Sequence, residues 1–213
     1  YGLGDYADLA TVTPGFFAAH QSADNVSLNI RGITSDSADL RQTPRVSTFQ
    51  DGVLLHNTRG GSVALFDLEH VAVFKGPQPV RFAEGAQGGA LAIATRRARD
   101  ESSGALSVGV GNYRALETSA FVNRPLIDGK LLARVAVYSK NRDGYVANLA
   151  GGPALQGEGS LAARAALRWQ AAPATTVDLI LNLQEDDTPG TAFKTLRGVP
   201  GFPSLTDTDP YSP

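Results

Sequence analysis

Cysteine and methionine are both absent from the 213 residues. Without cysteine there is no disulfide framework, no thiol nucleophile and no cysteine-ligated zinc. Without methionine, Tyr1 is not a translation start, so the sequence is expected to be part of a longer chain. An excess of one charge is missing too: 19 Lys and Arg stand against 21 Asp and Glu, a formal net charge of −2. That balance argues against a general nucleic-acid binder. No run of about 18 apolar residues occurs, which excludes a transmembrane helix but not a β-barrel, whose strands alternate. Histidine is scarce and scattered, at His20, His56 and His70, so no metal site is expected. There is no G-x-S-x-G and no carboxylate pair or Ser-His-Asp set that spacing brings together, so neither an enzyme nor catalytic residues are expected.

What is present is a folding composition, 42% hydrophobic and 19% charged, in two textures that meet near residues 97–103. Before that break, short apolar runs alternate with loops rich in Gly, Asp, Ser and Pro. A short helix is expected at 5–10, with Asp5 as cap and Pro14-Gly15 ending the segment. Strands are expected at 26–31, 46–51, 70–75 and 90–95, giving a small α+β unit.

After the break the alternation is regular. In KLLARVAVYSK, Leu131, Ala133, Val135 and Val137 oppose Arg134, Ala136, Tyr138 and Lys140. GALSVGVG, SLAARAALRWQ and TVDLILNLQ behave alike, with Leu, Val and Ala on one face and Ser, Arg, Asp, Asn and Gln on the other. Period-two alternation means a sheet with one dry and one polar face. NRPLIDGK and QAAPAT read as short turns, and NLAGGPALQGEG and EDDTPGTAFKTLRGVPGFPSL as long loops, the layout of an outer-membrane barrel. Trp169 ends its apolar face beside a short turn, where an interfacial aromatic would stand. Alternation alone leaves a membrane barrel and a soluble sheet with one face on a core both open. Glu185, Asp186, Asp187, Asp207 and Asp209 have no EF-hand spacing and read as a solvated acidic loop group rather than a calcium site.

The stretch FDLEHVAVFKGPQPVRFAEGAQGGALAIATR invites a phosphate-cradle reading because of its glycines. It lacks the Lys-Ser/Thr of a P-loop and runs into a strand instead of a helix, so nucleotide binding is not expected. The same residues resemble the segment that closes the plug domain of TonB-dependent outer-membrane receptors. That family reads, loosely, D-[LI]-E-R-[IV]-E-V-x-[KR]-G-P-Q, then an aromatic-containing stretch, then G-x-x-x-x-G-G-x-[IL]-x-[IV]-x-T. Asp67, Leu68, Glu69, Val71, Val73, Lys75, Gly76, Pro77, Gln78, Gly88, Gly89 and Thr95 match it. Upstream, TPGF, VSLNIRGITS with Arg31-Gly32, and VSTFQDGVLL with Asp51-Gly52 resemble further plug motifs in the family's order. GNYR, NRDGYV and DDTPGTAFK are similar to fragments from the family's first barrel strands.

The resemblance implies an α+β plug domain over residues 1–98, a linker at 99–103, and antiparallel transmembrane barrel strands from 104 to 213. Those would be the first five or so strands of a plugged barrel of about 22. It implies TonB-dependent active transport of a scarce nutrient across the bacterial outer membrane, with the plug gating the lumen. A ferric siderophore leads over haem, cobalamin and oligosaccharide as ligand. The partners implied are the TonB energy-transducing complex of the inner membrane and the lipid bilayer, with no nucleic acid and no cofactor. The alternatives are a non-transporting outer-membrane barrel and a soluble β-rich interaction domain.

Two groups of site residues follow from the resemblance. Asp36, Asp39, Arg41 and Gln42, with His56, Asn57 and Arg59, would contact ligand from apical plug loops. Arg31, Gly32, Asp51, Gly52, Glu69, Lys75, Gly76, Pro77, Gln78, Gly88 and Gly89 would form the plug motifs and plug-to-barrel contacts, with Arg31 and Glu69 as candidates for pairing. The chain departs from the family at His70, Ala72, Ala83 and Ala92, which puts the usual plug-to-wall contacts from these positions in question.

Overall fold

The computed structural model describes residues 6–22, 25–35, 42–55, 63–82, 85–148 and 152–187. The chain opens with helix α1, Tyr6–Val12, whose Tyr6 and Leu9 lie one turn apart on the buried face. It stops before Pro14-Gly15, where Gly15 takes φ 75 and Phe16 N–H donates to Thr13 O at 3.1 Å. Strands β1 (Phe16–Ser22), β2 (Asn25–Ile30) and β3 (Ile33–Ser35) form a three-stranded antiparallel sheet.

A second sheet has the order β5-β4-β7-β6, from β4 (Val46–Gln50), β5 (Val53–Leu55), β6 (Leu68–Lys75) and β7 (Gly89–Thr95). Strand β4 is buried at all five residues because it lies inside this sheet, parallel to β7 and antiparallel to β5. The two sheets and α1 close on one core, in which Phe16, Ile30, Val46, Leu91 and Ile93 are almost fully enclosed.

The second half is a single five-stranded antiparallel sheet, β8 (Ser103–Gly111), β9 (Ala115–Ile127), β10 (Leu131–Arg142), β11 (Glu158–Ala172) and β12 (Thr175–Asp186). Its faces are the reverse of a soluble sheet's. Leu132, Arg134, Ala136 and Tyr138 of β10 and Ala162, Arg164 and Ala166 of β11 are buried, and Arg134, Ala136, Tyr138, Ala162 and Arg164 among them meet the first half of the chain. Leu106, Val108, Val135, Val137, Leu161, Leu179, Leu181 and Leu183 are bare. In water each such side chain would forgo about 1.5–3 kcal/mol, on the order of tens of kcal/mol together. A bilayer removes that penalty. Strands of 12 to 15 residues, β10 to β12, also fit. Tilted by ~45°, they rise about 29–36 Å, enough to cross the hydrocarbon layer.

The soluble-sheet alternative is therefore corrected: among the described residues the dry face covers no core. Other expectations shift as well. The helix ends at Val12 instead of residue 10, and β1, β3, β5 and, in the second half, β9 were not anticipated. NRPLIDGK is not a turn throughout. Strand β9 runs on to Ile127, and the reversal is confined to 128–130, with Gly129 at φ 62. Pro125 is tolerated inside β9 because the register with β10 shifts between Leu131 and Leu132, so Pro125 sits at a bulge. The turns 128–130 and 173–174 share one end of the sheet, and the 112–114 turn and the 143–157 loop share the other.

Candidate functional site

The buried face of the sheet meets the first half of the chain along residues 63–67. Ala64 N–H donates to Gln184 Oε1 at 2.9 Å. Phe66 then stacks on Tyr138 with ring centroids 5.7 Å apart, in a small apolar contact with Ala136 and Ala162. Asp67 follows in the left-handed region, at φ 49, which turns its carboxylate toward the wall. Arg134 grips it twice: Nε donates to Oδ2 at 2.8 Å and Nη2 to Oδ1. The two side chains are 5% and 7% exposed, so the pair is dry.

The Arg134 guanidinium also lies 3.9 Å from the Phe121 ring centroid, which covers its open face. Arg164 completes the grip. Its Nη1 donates to Phe66 O at 2.8 Å, its Nε donates to Asn182 Oδ1 at 2.6 Å, and it stands 4.4 Å over the Phe66 ring. Gln50 Nε2 donates to the same Asn182 oxygen at 3.4 Å.

Lower down, Asn123 uses its amide as a strand uses its backbone. Its Oδ1 accepts Arg99 N–H at 3.0 Å, and its Nδ2 donates to Arg99 O at 2.9 Å and Glu101 O at 2.5 Å. Asp51, at φ 51, accepts Thr95 N–H at 2.9 Å and the Thr95 hydroxyl at 2.7 Å, with Arg97 at 3.5 Å. That ties the β4–β5 turn to the end of β7. The interface is thus a few directional polar contacts around one aromatic step.

The opposite end is defined by topology. Because β4 and β7 are parallel and β5 and β6 antiparallel to them, the chain enters β4 and β7 and leaves β5 and β6 at one end. The loop from 76 to 88 lies there, braced by Gly76 N–H to Gly88 O and Gln78 N–H to Ala86 O, both 3.1 Å. Val80 at its tip is fully exposed, Arg81 lies 4.4 Å over the Phe74 ring, and Phe82 stacks on Phe49 at 4.3 Å.

On the wall, the 112–114 turn carries Tyr113 and Arg114, both at positive φ. Arg114 pairs with Asp143, whose carboxylate holds the guanidinium above its usual range, and Tyr113 meets Tyr145 at 5.6 Å. Inward-facing Lys140 and Arg142 share Glu158, at 2.7 and 2.9 Å. Among the described residues, no group of three His, Asp or Glu could hold a metal ion.

A family model of the TonB-dependent receptor plug domain matches residues 2–90. The ferric yersiniabactin uptake receptor of Yersinia pestis superposes with a TM-score of 0.76 and 25% identity, covering 86% of this chain and 29% of that one. The chain thus carries the plug domain of the TonB-dependent outer-membrane receptors. Its plug is followed by antiparallel strands that match the barrels of this family. The pesticin receptor of Yersinia enterocolitica is 29% identical over 126 residues, 59% of this chain. The chain spans only 18% of that relative's length. The pyoverdine receptor of Pseudomonas aeruginosa PAO1 shares the fold, with a TM-score of 0.70 at 17% identity over 87% of this chain and 26% of that one.

The motif residues expected from sequence are largely internal to the plug. Arg31-Gly32, at φ 52 and 86, and Asp51-Gly52, at φ 51 and 85, are the paired left-handed residues of tight hairpin turns. Arg31 N–H donates to Gly15 O at 2.9 Å. Lys75 Nζ donates to Pro14 O, joining the two plug sheets. Pro77 is exposed on the 76–88 loop. Gly88 and Gly89 permit close packing: a Cβ would stand 2.5 Å from Ile33 Cγ2 at Gly88 and 2.4 Å from Phe74 O at Gly89. Glu69 lies 3.9 Å from Arg99, both well exposed, a pair worth little.

Of the expected ligand residues, Gln42 is exposed on the segment leading into β4, while Asp36, Asp39, Arg41, His56, Asn57 and Arg59 lie outside the described residues, as does Ala83. His70 is exposed, and Ala72 and Ala92 face one another as cross-strand partners. The wall contacts come instead from Gln50, Ala64, Phe66, Asp67, Arg99 and Glu101 to Asn182, Gln184, Arg134, Arg164 and Asn123. Asp67 was visible in the motif. The wall residues were visible only as polar interruptions of the alternation, with nothing in sequence to name their partners.

Proposed function

We propose that this chain is the plug and first wall strands of a receptor that imports a ferric siderophore by TonB-coupled active transport. The observation that carries the reading is the plug fastened to a lipid-facing wall by the Asp67–Arg134 pair and its neighbours. A plug that must be displaced and reseated needs contacts that are specific in place yet few in number. Directional polar bonds lose their strength within about an ångström of displacement, whereas a broad apolar interface would hold through it.

The likeness to the yersiniabactin receptor supports a chelated iron cargo. Under this reading the end with the 76–88 loop and the 143–157 loop faces the outside. Ligand settles there on Gln42, Asp36, Asp39, Arg41, His56, Asn57 and Arg59, joined by Arg81 and Tyr145. The inner-membrane TonB complex then draws on the plug from the opposite side. The test is uptake of radiolabelled ferric siderophores by cells expressing the full-length receptor, with and without the energy-coupling complex. Binding without energy-dependent uptake would favour a non-transporting surface barrel.

A further inference from the structure

The charges along the plug-to-wall seam are arranged asymmetrically. Lys140 and Arg142 share the wall's own Glu158, and Arg168 is gripped by the wall's own Asp178 at 2.7 and 2.9 Å. Arg134 and Arg164, between those two levels, differ. Among the described residues of the five strands, no wall carboxylate pairs with either of them. The carboxylate on Arg134 is Asp67, and Arg164 donates to Phe66 O and Asp67 O at 2.8 and 3.4 Å, all plug groups. The register sets Arg134 opposite Ala166 and Arg164 opposite Ala136, so the two arginines are diagonal neighbours on the lumenal face. The ring stacked on Arg134, Phe121, also belongs to the wall.

The geometry points to a latent anion site in the lumen wall, formed by Arg134, Arg164 and Phe121, which Asp67 fills as a stand-in while the plug is seated. Its ligand class is an anionic oxygen group, a carboxylate or phenolate of the iron chelate in transit. Rigid, planar arginine forks suit such groups better than lysine does. Displacing the plug would leave both arginines in the lumen without the plug oxygens that hold them now. An anionic cargo would take the place of the Asp67 carboxylate midway through the barrel, between the outer Lys140–Arg142 pair and Arg168 below. The inference rests on the transport reading proposed above.

The experiment uses the full-length receptor. In Asp67→Ala, hydrogen exchange at the amides of residues 64–68 is expected to quicken by at least about ten-fold as the buried pair is lost. Formate should restore protection saturably, whereas chloride at equal ionic strength should not. Formate should have no effect on the parent protein or on the Asp67→Ala/Arg134→Gln double variant. Equal rescue by chloride, or none by formate, overturns the site.

A second arm survives a folding failure of Asp67→Ala. Asp67→Asn/Arg134→Gln removes the pair's charge while keeping polar side chains at both positions, and should slow uptake of an anionic ferric chelate several-fold relative to a neutral one. Equal rates for both cargoes would leave the pair a fastening only, and overturn the site. Should the parent receptor import no chelate, the transport reading fails, while the formate result still decides whether the wall binds anionic oxygen.

Discussion

Asn123 is 1% exposed and makes three hydrogen bonds to the connector between plug and barrel. Asn123→Ala would leave backbone groups of Arg99 and Glu101 unpartnered at about 1–3 kcal/mol, read as faster hydrogen exchange over residues 99–101 of the full-length receptor. The glycines divide by what surrounds them. At Gly52, φ 85, an added Cβ meets nothing within 4 Å, so Gly52→Ala costs only backbone strain of about 1–2 kcal/mol. At Gly89, φ 146, the Cβ would meet Phe74 O at 2.4 Å and Ile30 Cδ1 at 2.7 Å. Gly89→Ala should therefore cost appreciably more, as overpacking adds about 1–3 kcal/mol to the strain. Urea titration of the seated plug would rank the two, and equal losses would mean the sheets do not close on Gly89.

At the scale of elements, the decisive feature is which face of β8 to β12 is bare. Leu181 is outward and mid-strand, whereas Thr176 shares the lumenal face with Arg168 and Asp178. Leu181→Arg should destabilise folding into phospholipid vesicles by about 2–4 kcal/mol, and Thr176→Arg by far less. A sheet made for water would show no such contrast. Four of the five wall strands were legible in sequence because long period-two runs repeat one signal many times. Strand β9 was obscured by Pro125 and by the mixed run Leu116–Phe121, and only the bulge opposite Leu132 explains why the chain passes the proline. The three-residue strands β3 and β5 are too short to show any period, and the left-handed pairs Arg31-Gly32 and Asp51-Gly52 place them instead. The seam was the least legible. Asp67 and Arg134 are 67 positions apart, and no local pattern announces a pairing between a turn residue and a strand residue at that separation.

At the scale of the molecule, two halves with opposite needs are joined by a short connector, residues 96–102. The plug is a water-type domain with a closed apolar core, and the wall is a membrane sheet with its apolar side outward. They meet through arginines, asparagines and one buried carboxylate, which fixes the plug's position without sealing it in place. His70 is exposed and Ala72 faces Ala92, while the charge pairing with the wall comes from Asp67. The most direct test of this account is energy-dependent import by the full-length receptor, measured with radiolabelled ferric siderophores in cells lacking other iron receptors. Accumulation that requires both the receptor and the TonB complex is the predicted result. Surface binding that never becomes accumulation, with the energy-coupling complex present, would contradict it.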